Sequence, residues 1–143
     1  MRQVRRNALV PYPAREMYGL VDDIEAYPEF LPWCRAARVE SRSETEVEAS
    51  LELARGGIAK WFTTRNRMVP GERIDIELVE GPFRHLQGHW KFTPLGESGC
   101  RIDLEMEFEF SSSMLDMVIG PVFQQICNTL LDAFVERAQK RNA

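Results

Sequence analysis

SSSMLDMVIGPVFQQICNTLLDAFVERA, from Ser111 to Ala138, is the stretch from which the fold follows. Leu115, Ile119, Val122, Ile126 and Leu130 recur three or four residues apart, and Phe123, Cys127, Phe134 and Ala138 widen the same stripe. This is the period of an amphipathic helix, and a stripe this broad needs a large apolar surface to lie on. The three serines at its start are candidate N-caps, and Asp116 sets a carboxylate near the positive end of the helix macrodipole. Arg137, Lys140 and Arg141 suit the opposite end. Gly120-Pro121 interrupts the stripe, so a kink is expected, or a short first segment with Pro121 restarting the helix in its first turn.

Upstream, the residues read as a sheet made to wrap this helix. Residues 100–110 alternate without a fault: Cys100, Ile102, Leu104, Met106, Phe108 and Phe110 face one way, Arg101, Asp103, Glu105, Glu107 and Glu109 the other. Such a strand has one dry and one wet face, as in an antiparallel sheet. Before it, strands are expected over 84–95 (Leu86, Trp90 and Phe92 on one face, with Gly88 leaving room for a bulky neighbour or a bend), 74–79, 58–69, 46–55 and 36–43. Gly56-Gly57 and Pro70-Gly71 supply turns. A first strand covers 3–10. A short helix begins at Pro13-Ala14, and a second, capped by Asp22-Asp23, carries Tyr27, Phe30 and Leu31 and ends at Pro32. One strand, two short helices, six strands and a long helix, joined by hairpin-length turns, define an α+β fold with one antiparallel sheet.

The chain has 143 residues, enough for one domain (1–143) with a real core. Its 44% hydrophobic and 28% charged content is that of an ordinary soluble protein, and no run approaches the roughly 20 apolar residues of a membrane span. The N-terminus lacks a signal-peptide pattern. Three cysteines without a CxxC pair (Cys34, Cys100 and Cys127) point to a reducing cytoplasm, with Cys100 and Cys127 on apolar stripes. A net charge of −4 gives no global attraction to nucleic acid, although Lys60, Arg65 and Arg67 form a local basic group.

Catalytic motifs are missing: there is no GxSxG, HExxH, P-loop or GxGxxG. His85 and His89 lie on one strand, where four residues span about 13 Å, so they share a face without converging on a metal. The acidic comb Asp103–Glu109 reads as a wet face for Arg or Lys from neighbouring strands. What stands out is the set of large apolar groups on inward faces: Phe62, Met68, Phe83, Trp90, Phe92, Met106, Phe108, Phe110, Met117 and Phe123. Beneath a curved sheet they suit either a filled core or an elongated apolar pocket, whose polar groups would be Thr64 and Asn66 on the same face. The rest of the candidate lining is Tyr27, Phe30, Leu31 and Trp33 at a cavity mouth, with Val122 and Ile126 from the helix.

EAYPEFLPWC (Glu25–Cys34), FTTRN (Phe62–Asn66), VEGPFRHLQGHWKF (Val79–Phe92) and the late GPVFQQI and AFVERA segments resemble the bacterial relatives of the coenzyme Q-binding START-like proteins. That group, often labelled oligoketide cyclase/lipid transport-like, has a ribosome-association toxin branch. The resemblance covers nearly the whole chain. It implies a helix-grip fold: a seven-stranded antiparallel sheet around a long C-terminal helix, with two short helices after the first strand and a deep apolar cavity. Pro28, Phe30, Leu31, Pro32 and Trp33 would form its wall or mouth, and Gly81, Pro82, Phe83 and Trp90 its sheet side. Two functions are implied. One is binding ubiquinone or a similar lipid in support of respiration, with no cofactor required, in the cytoplasm or at the periphery of the inner membrane. The other is binding the large ribosomal subunit and blocking its association with the small one. A cyclase/dehydrase activity is the third alternative, and no motif supports it.

Overall fold

The seven alternating segments form seven strands of a single antiparallel sheet, in the order β1-β7-β6-β5-β4-β3-β2. A computed structural model describes all 143 residues, Met1–Ala143. The elements are β1 (Arg2–Val10), α1 (Ala14–Asp22), a 3₁₀ helix (Ile24–Glu29), β2 (Cys34–Arg42), β3 (Glu46–Arg55), β4 (Ile58–Val69), β5 (Arg73–Glu80), β6 (Phe83–Leu95), β7 (Gly99–Phe110) and α2 (Ser113–Arg141). β2 to β7 run as a meander joined by short turns, and β1 closes the far side by pairing with β7 from Arg2↔Phe108 to Val10↔Cys100. β1 and β2 are therefore opposite edges, and α1 with the 3₁₀ helix carries the chain between them.

Two boundaries differ from expectation. The second short helix stops at Glu29, before Phe30, Leu31 and Pro32, and its Asp23 cap makes no side-chain bond. Pro28 lacks an amide donor and Pro32 disfavours helical geometry at Leu31, which together leave only a short 3₁₀ segment. Leu31 then turns back, its carbonyl accepting from the Cys34 amide at 3.0 Å, so β2 begins at Cys34 and not at Ala36.

The long helix starts where the serines suggest: Ser112 is the N-cap, its hydroxyl accepting from the Leu115 amide at 3.2 Å. It runs unbroken through Pro121, so no separate first segment exists. Proline at 121 deprives only the Met117 carbonyl of its partner, and Met117 lies on the outer face, 78% exposed, where water can take the amide's place. That exposure also removes Met117 from the inward set. Met114 and Val118 share this outer face, while Ile119, Phe123, Ile126, Cys127, Leu131, Phe134 and Ala138 turn to the sheet. By length and composition α2 could cross a membrane. Eight of its residues are buried and form the face packed against the sheet.

The N-terminal half of α2 is pinned to β1 by Arg2. The guanidinium meets both carboxylate oxygens of Asp116, at 3.1 and 3.2 Å, and donates to Gln124 Oε1 at 2.6 Å. It lies directly over Gly120, where a Cβ would stand 2.7 Å from Arg2 Nε. A side chain at 120 would displace this bidentate clamp.

The core is one cluster of 33 buried residues drawn from every element. Within it the aromatic rings divide into two groups. Towards the N-terminal half of α2, Phe123 packs against Phe108 at 4.8 Å, Phe83 at 5.2 Å and Phe62 at 6.0 Å, and Phe83 stacks on Phe110 at 4.6 Å. Towards the C-terminal half, Phe134 meets Phe30, Trp90 and Tyr27 edge-on at 5.2, 5.3 and 5.4 Å, and Phe92 lies between Trp90 and Tyr18.

Candidate functional site

Between the two aromatic groups the sheet and helix do not close completely. A cavity of about 80 Å³ remains, lined by 16 residues of which 14 are hydrophobic. Phe62 and Phe123 face it from one group, Tyr27 and Trp90 from the other, and Trp33 from the start of the meander. Met106 and Ile126 complete the expected residues that line it, together with Thr64 and Asn66. Thr64 and Asn66 are its polar groups, adjacent on the inner face of β4, 8% and 9% exposed, with the Thr64 hydroxyl donating to Asn66 Oδ1 at 3.0 Å. Tyr27 is not a polar group of the cavity in the same sense, because its hydroxyl already donates to the Val21 carbonyl.

The remaining candidates lie elsewhere, each for a packing reason. Phe83, Phe108 and Phe110 sit behind Phe123 in the first aromatic group, and Phe92 behind Trp90 in the second. Leu31 is sealed in the core. Met68 is a step beyond Asn66, opposite Ile74, past the end of the cavity. Val122 is half-buried on the flank of α2. Phe30 is half-buried at the edge of the core, between Phe134 and the Arg137 guanidinium, which lies 4.9 Å from its ring centre and donates to Glu29 at 2.8 Å, fastening the 3₁₀ segment to α2. Pro28 and Pro32 line the shallow groove on that outer side. Gly81 and Pro82 form the turn behind Phe62, with Gly81 Cα so close that a Cβ there would be 2.7 Å from Phe62 Cβ. Conversely, Ile24, Ala49, Leu51, Ile76, Leu86, Cys127 and Leu130 line the cavity without having been singled out. The signal for two of them was cross-strand register, since Ala49 pairs with Thr64 and Ile76 with Asn66.

No charged residue lines the cavity. Its one thiol, Cys127, is pushed up to about 12 by burial. All three cysteines are free and buried, and burial also raises Cys34 to about 11 and moves Cys100 upward. At pH 8 the thiolate fraction of a thiol moved from 9.0 to about 12 falls by about a thousandfold. Cys127 is therefore expected to resist a thiol reagent at pH 8 in the native protein and to react fully in denaturant, as a timed reagent assay would measure. The linkage has a definite sign: below about pH 9 both states keep the proton and stability is unaffected, whereas above it ionisation in the unfolded chain favours unfolding.

The outer face is charge-compensated. Arg65 is ringed by Glu46 and Glu48 at 3.3 Å and Glu77 at 3.8 Å, and Arg67 shares Glu77 at 3.7 Å. Lys60 alternates onto the opposite face of β4, in phase with Phe62, so the three do not form the expected patch. The acidic comb of β7 takes its partners from both neighbouring strands: Arg5 and His89 on Glu105, His85 on Glu107, Arg84 on Glu109. Both histidines thus lie on the convex face, away from the cavity, and no cluster of side chains is arranged to hold a metal.

A seven-stranded antiparallel sheet gripping a C-terminal helix around an apolar cavity is the helix-grip fold of START-like proteins. The chain belongs to the family described as polyketide cyclase/dehydrase and lipid transport, whose pattern matches residues 10–135. It is 45% identical over 137 residues to the ribosome association toxin RatA of Pseudomonas aeruginosa, covering 96% of this chain and 95% of that one. To RatA of Escherichia coli K12 it is 41% identical over 140 residues, 98% of this chain and 89% of the relative. The mitochondrial coenzyme Q-binding protein COQ10 of Drosophila melanogaster is more distant, 28% identical, with 99% of this chain spanning 60% of that protein. Among solved structures, TTHA0849 of Thermus thermophilus superposes with a TM-score of 0.84 at 21% identity, covering 99% of this chain and all of the other. The Zhui aromatase/cyclase of Streptomyces sp. R1128 gives 0.82 at 18% identity, covering 99% and 96%. The fold is therefore shared with polyketide cyclases.

Proposed function

We propose that this chain associates with the large ribosomal subunit in the cytoplasm and hinders its joining to the small one. The observation that carries this reading is identity of 41–45% along nearly the full length to proteins named as ribosome association toxins. Binding is expected when purified protein is pelleted through a sucrose cushion with isolated large subunits, at low and at near-physiological salt. Protein that stays in the supernatant at both salts contradicts the proposal. Arg65 and Arg67 have carboxylates within 4 Å but keep exposed surface, and charge reversal at both positions tests whether this side of β4 contributes to the contact.

A second role, binding an apolar ligand, is favoured by the cavity itself. Ligand sites commonly measure about 300–1,000 Å³, and the space here is about 80 Å³. A space of this size does not take a polyisoprenoid tail unless α2 moves from the sheet. Peripheral contact with a membrane belongs to this second reading alone. We propose neither a cofactor nor catalysis for either role: the cavity carries no charged side chain, and the histidines are on the other face of the sheet.

A further inference from the structure

The polar end of the cavity is unfinished. Asn66 is nine-tenths buried, and its one side-chain hydrogen bond is the one that its Oδ1 accepts from Thr64. Its NH₂ group has no acceptor within the protein. Nor is that group sealed off, because the one side-chain polar atom in the chain that is both sealed and unpartnered is Arg137 Nε. The amide thus opens onto the cavity that Asn66 lines. An amide buried this deeply without an acceptor is costly, and an occupant that supplies one recovers the loss. Oδ1 already accepts from Thr64 whereas neither amide hydrogen is engaged, so what the cavity chiefly offers is a donor.

The surroundings restrict the occupant further. The flanking strands present only Val47 and Ala49 from β3 and Ile76 and Leu78 from β5 beside the pair. With no charged group in the lining, a carboxylate or ammonium ligand would be stranded without a counter-ion. The enclosed space of about 80 Å³ is well below that of an ordinary ligand site, so only a small group of the occupant reaches the amide. We propose that the cavity binds a small, neutral, mostly apolar molecule through a carbonyl oxygen that accepts a hydrogen bond from the Asn66 side-chain amide, which Thr64 holds in orientation. This inference deepens the ligand-binding reading and rests on it.

Acetophenone and α-methylstyrene test it, because they have nearly the same shape and differ in a carbonyl oxygen against a methylene. Each is titrated into the full-length, isotope-labelled protein and followed by the side-chain amide resonances of Asn66 and the methyl resonances of Ile126. A hydrogen bond of ordinary strength gives acetophenone an advantage of about three- to tenfold and moves the Asn66 amide protons, which α-methylstyrene leaves in place. In Asn66→Leu the advantage disappears while both compounds still shift Ile126. Thr64→Val serves as a second variant should Asn66→Leu not fold; freeing the amide from its hydroxyl partner lowers the advantage. Equal affinities in the unaltered protein, or an advantage that survives in these variants, overturn the carbonyl assignment but keep the cavity as a binding site. If neither compound shifts Ile126 up to its solubility limit, the ligand-binding reading itself falls, and this inference with it.

Discussion

Replacing Phe134 by alanine is expected to cost about 3–5 kcal/mol of folding stability. Phe134 is 1% exposed and is the ring on which the 3₁₀ segment, β6 and α2 meet, through Phe30, Tyr27 and Trp90 at 5.2–5.4 Å. Truncation loses the apolar transfer energy of the ring together with three edge-to-face contacts. It also leaves a void that rigid neighbours on three elements cannot collapse to fill. In urea denaturation the midpoint should fall with the slope nearly unchanged, since the surface exposed on unfolding changes little. A midpoint close to that of the unaltered chain would mean that this end of the core is loosely packed, and the division into two aromatic groups would be wrong.

Gly88→Ala should destabilise by about 1–3 kcal/mol, a large effect for one methyl group. A Cβ at Gly88 would lie 2.3 Å from the Glu105 carbonyl oxygen and 2.3 Å from Met106 Sδ. The thioether can move, but the carbonyl belongs to the β6–β7 ladder, in which Gly88 pairs with Met106. Met106 lines the cavity, so its displacement also changes the cavity's shape. Combining Gly88→Ala with Met106→Ala should recover the part of the loss due to sulfur and leave the part due to backbone. A double-mutant cycle then gives a coupling of about 0.5–3 kcal/mol between two sites in contact. Strict additivity would show that Met106 does not occupy the space Gly88 leaves.

The sequence made the sheet legible where one face is dry and the other wet. β7 is the clearest case: every second residue from Cys100 to Phe110 is buried, and on the other face Glu105 meets Arg5 of β1 and Glu109 meets Arg84 of β6. The room left at Gly88 was also readable, and Met106 fills it. The helix register was read correctly except at Met117, which lies exposed on the outer face, and at Leu131, which the stripe omitted and which is fully buried. Alternation reports which face a side chain takes but not how deep along the strand the gap lies. Met106 and Phe108 are both inward, yet only Met106 reaches the cavity because Phe108 is enclosed by Phe83, Phe110 and Phe123. Small aliphatic lining residues such as Ala49 carry no signal of their own and emerge only from register with Thr64. Lys60 parts from Arg65 and Arg67 for a simpler reason: it shares parity with Phe62, and they do not.

The fold and the cavity leave the outer function to be decided on ribosomes. The most direct measurement follows magnesium-driven joining of purified large and small subunits by light scattering, with and without the protein. Addition of protein in excess over large subunits is expected to lower the plateau of joined ribosomes, and the protein should migrate with the large-subunit fraction in a sucrose gradient of the same mixture. An unchanged plateau, with folded protein remaining at the top of the gradient, would contradict the ribosomal role.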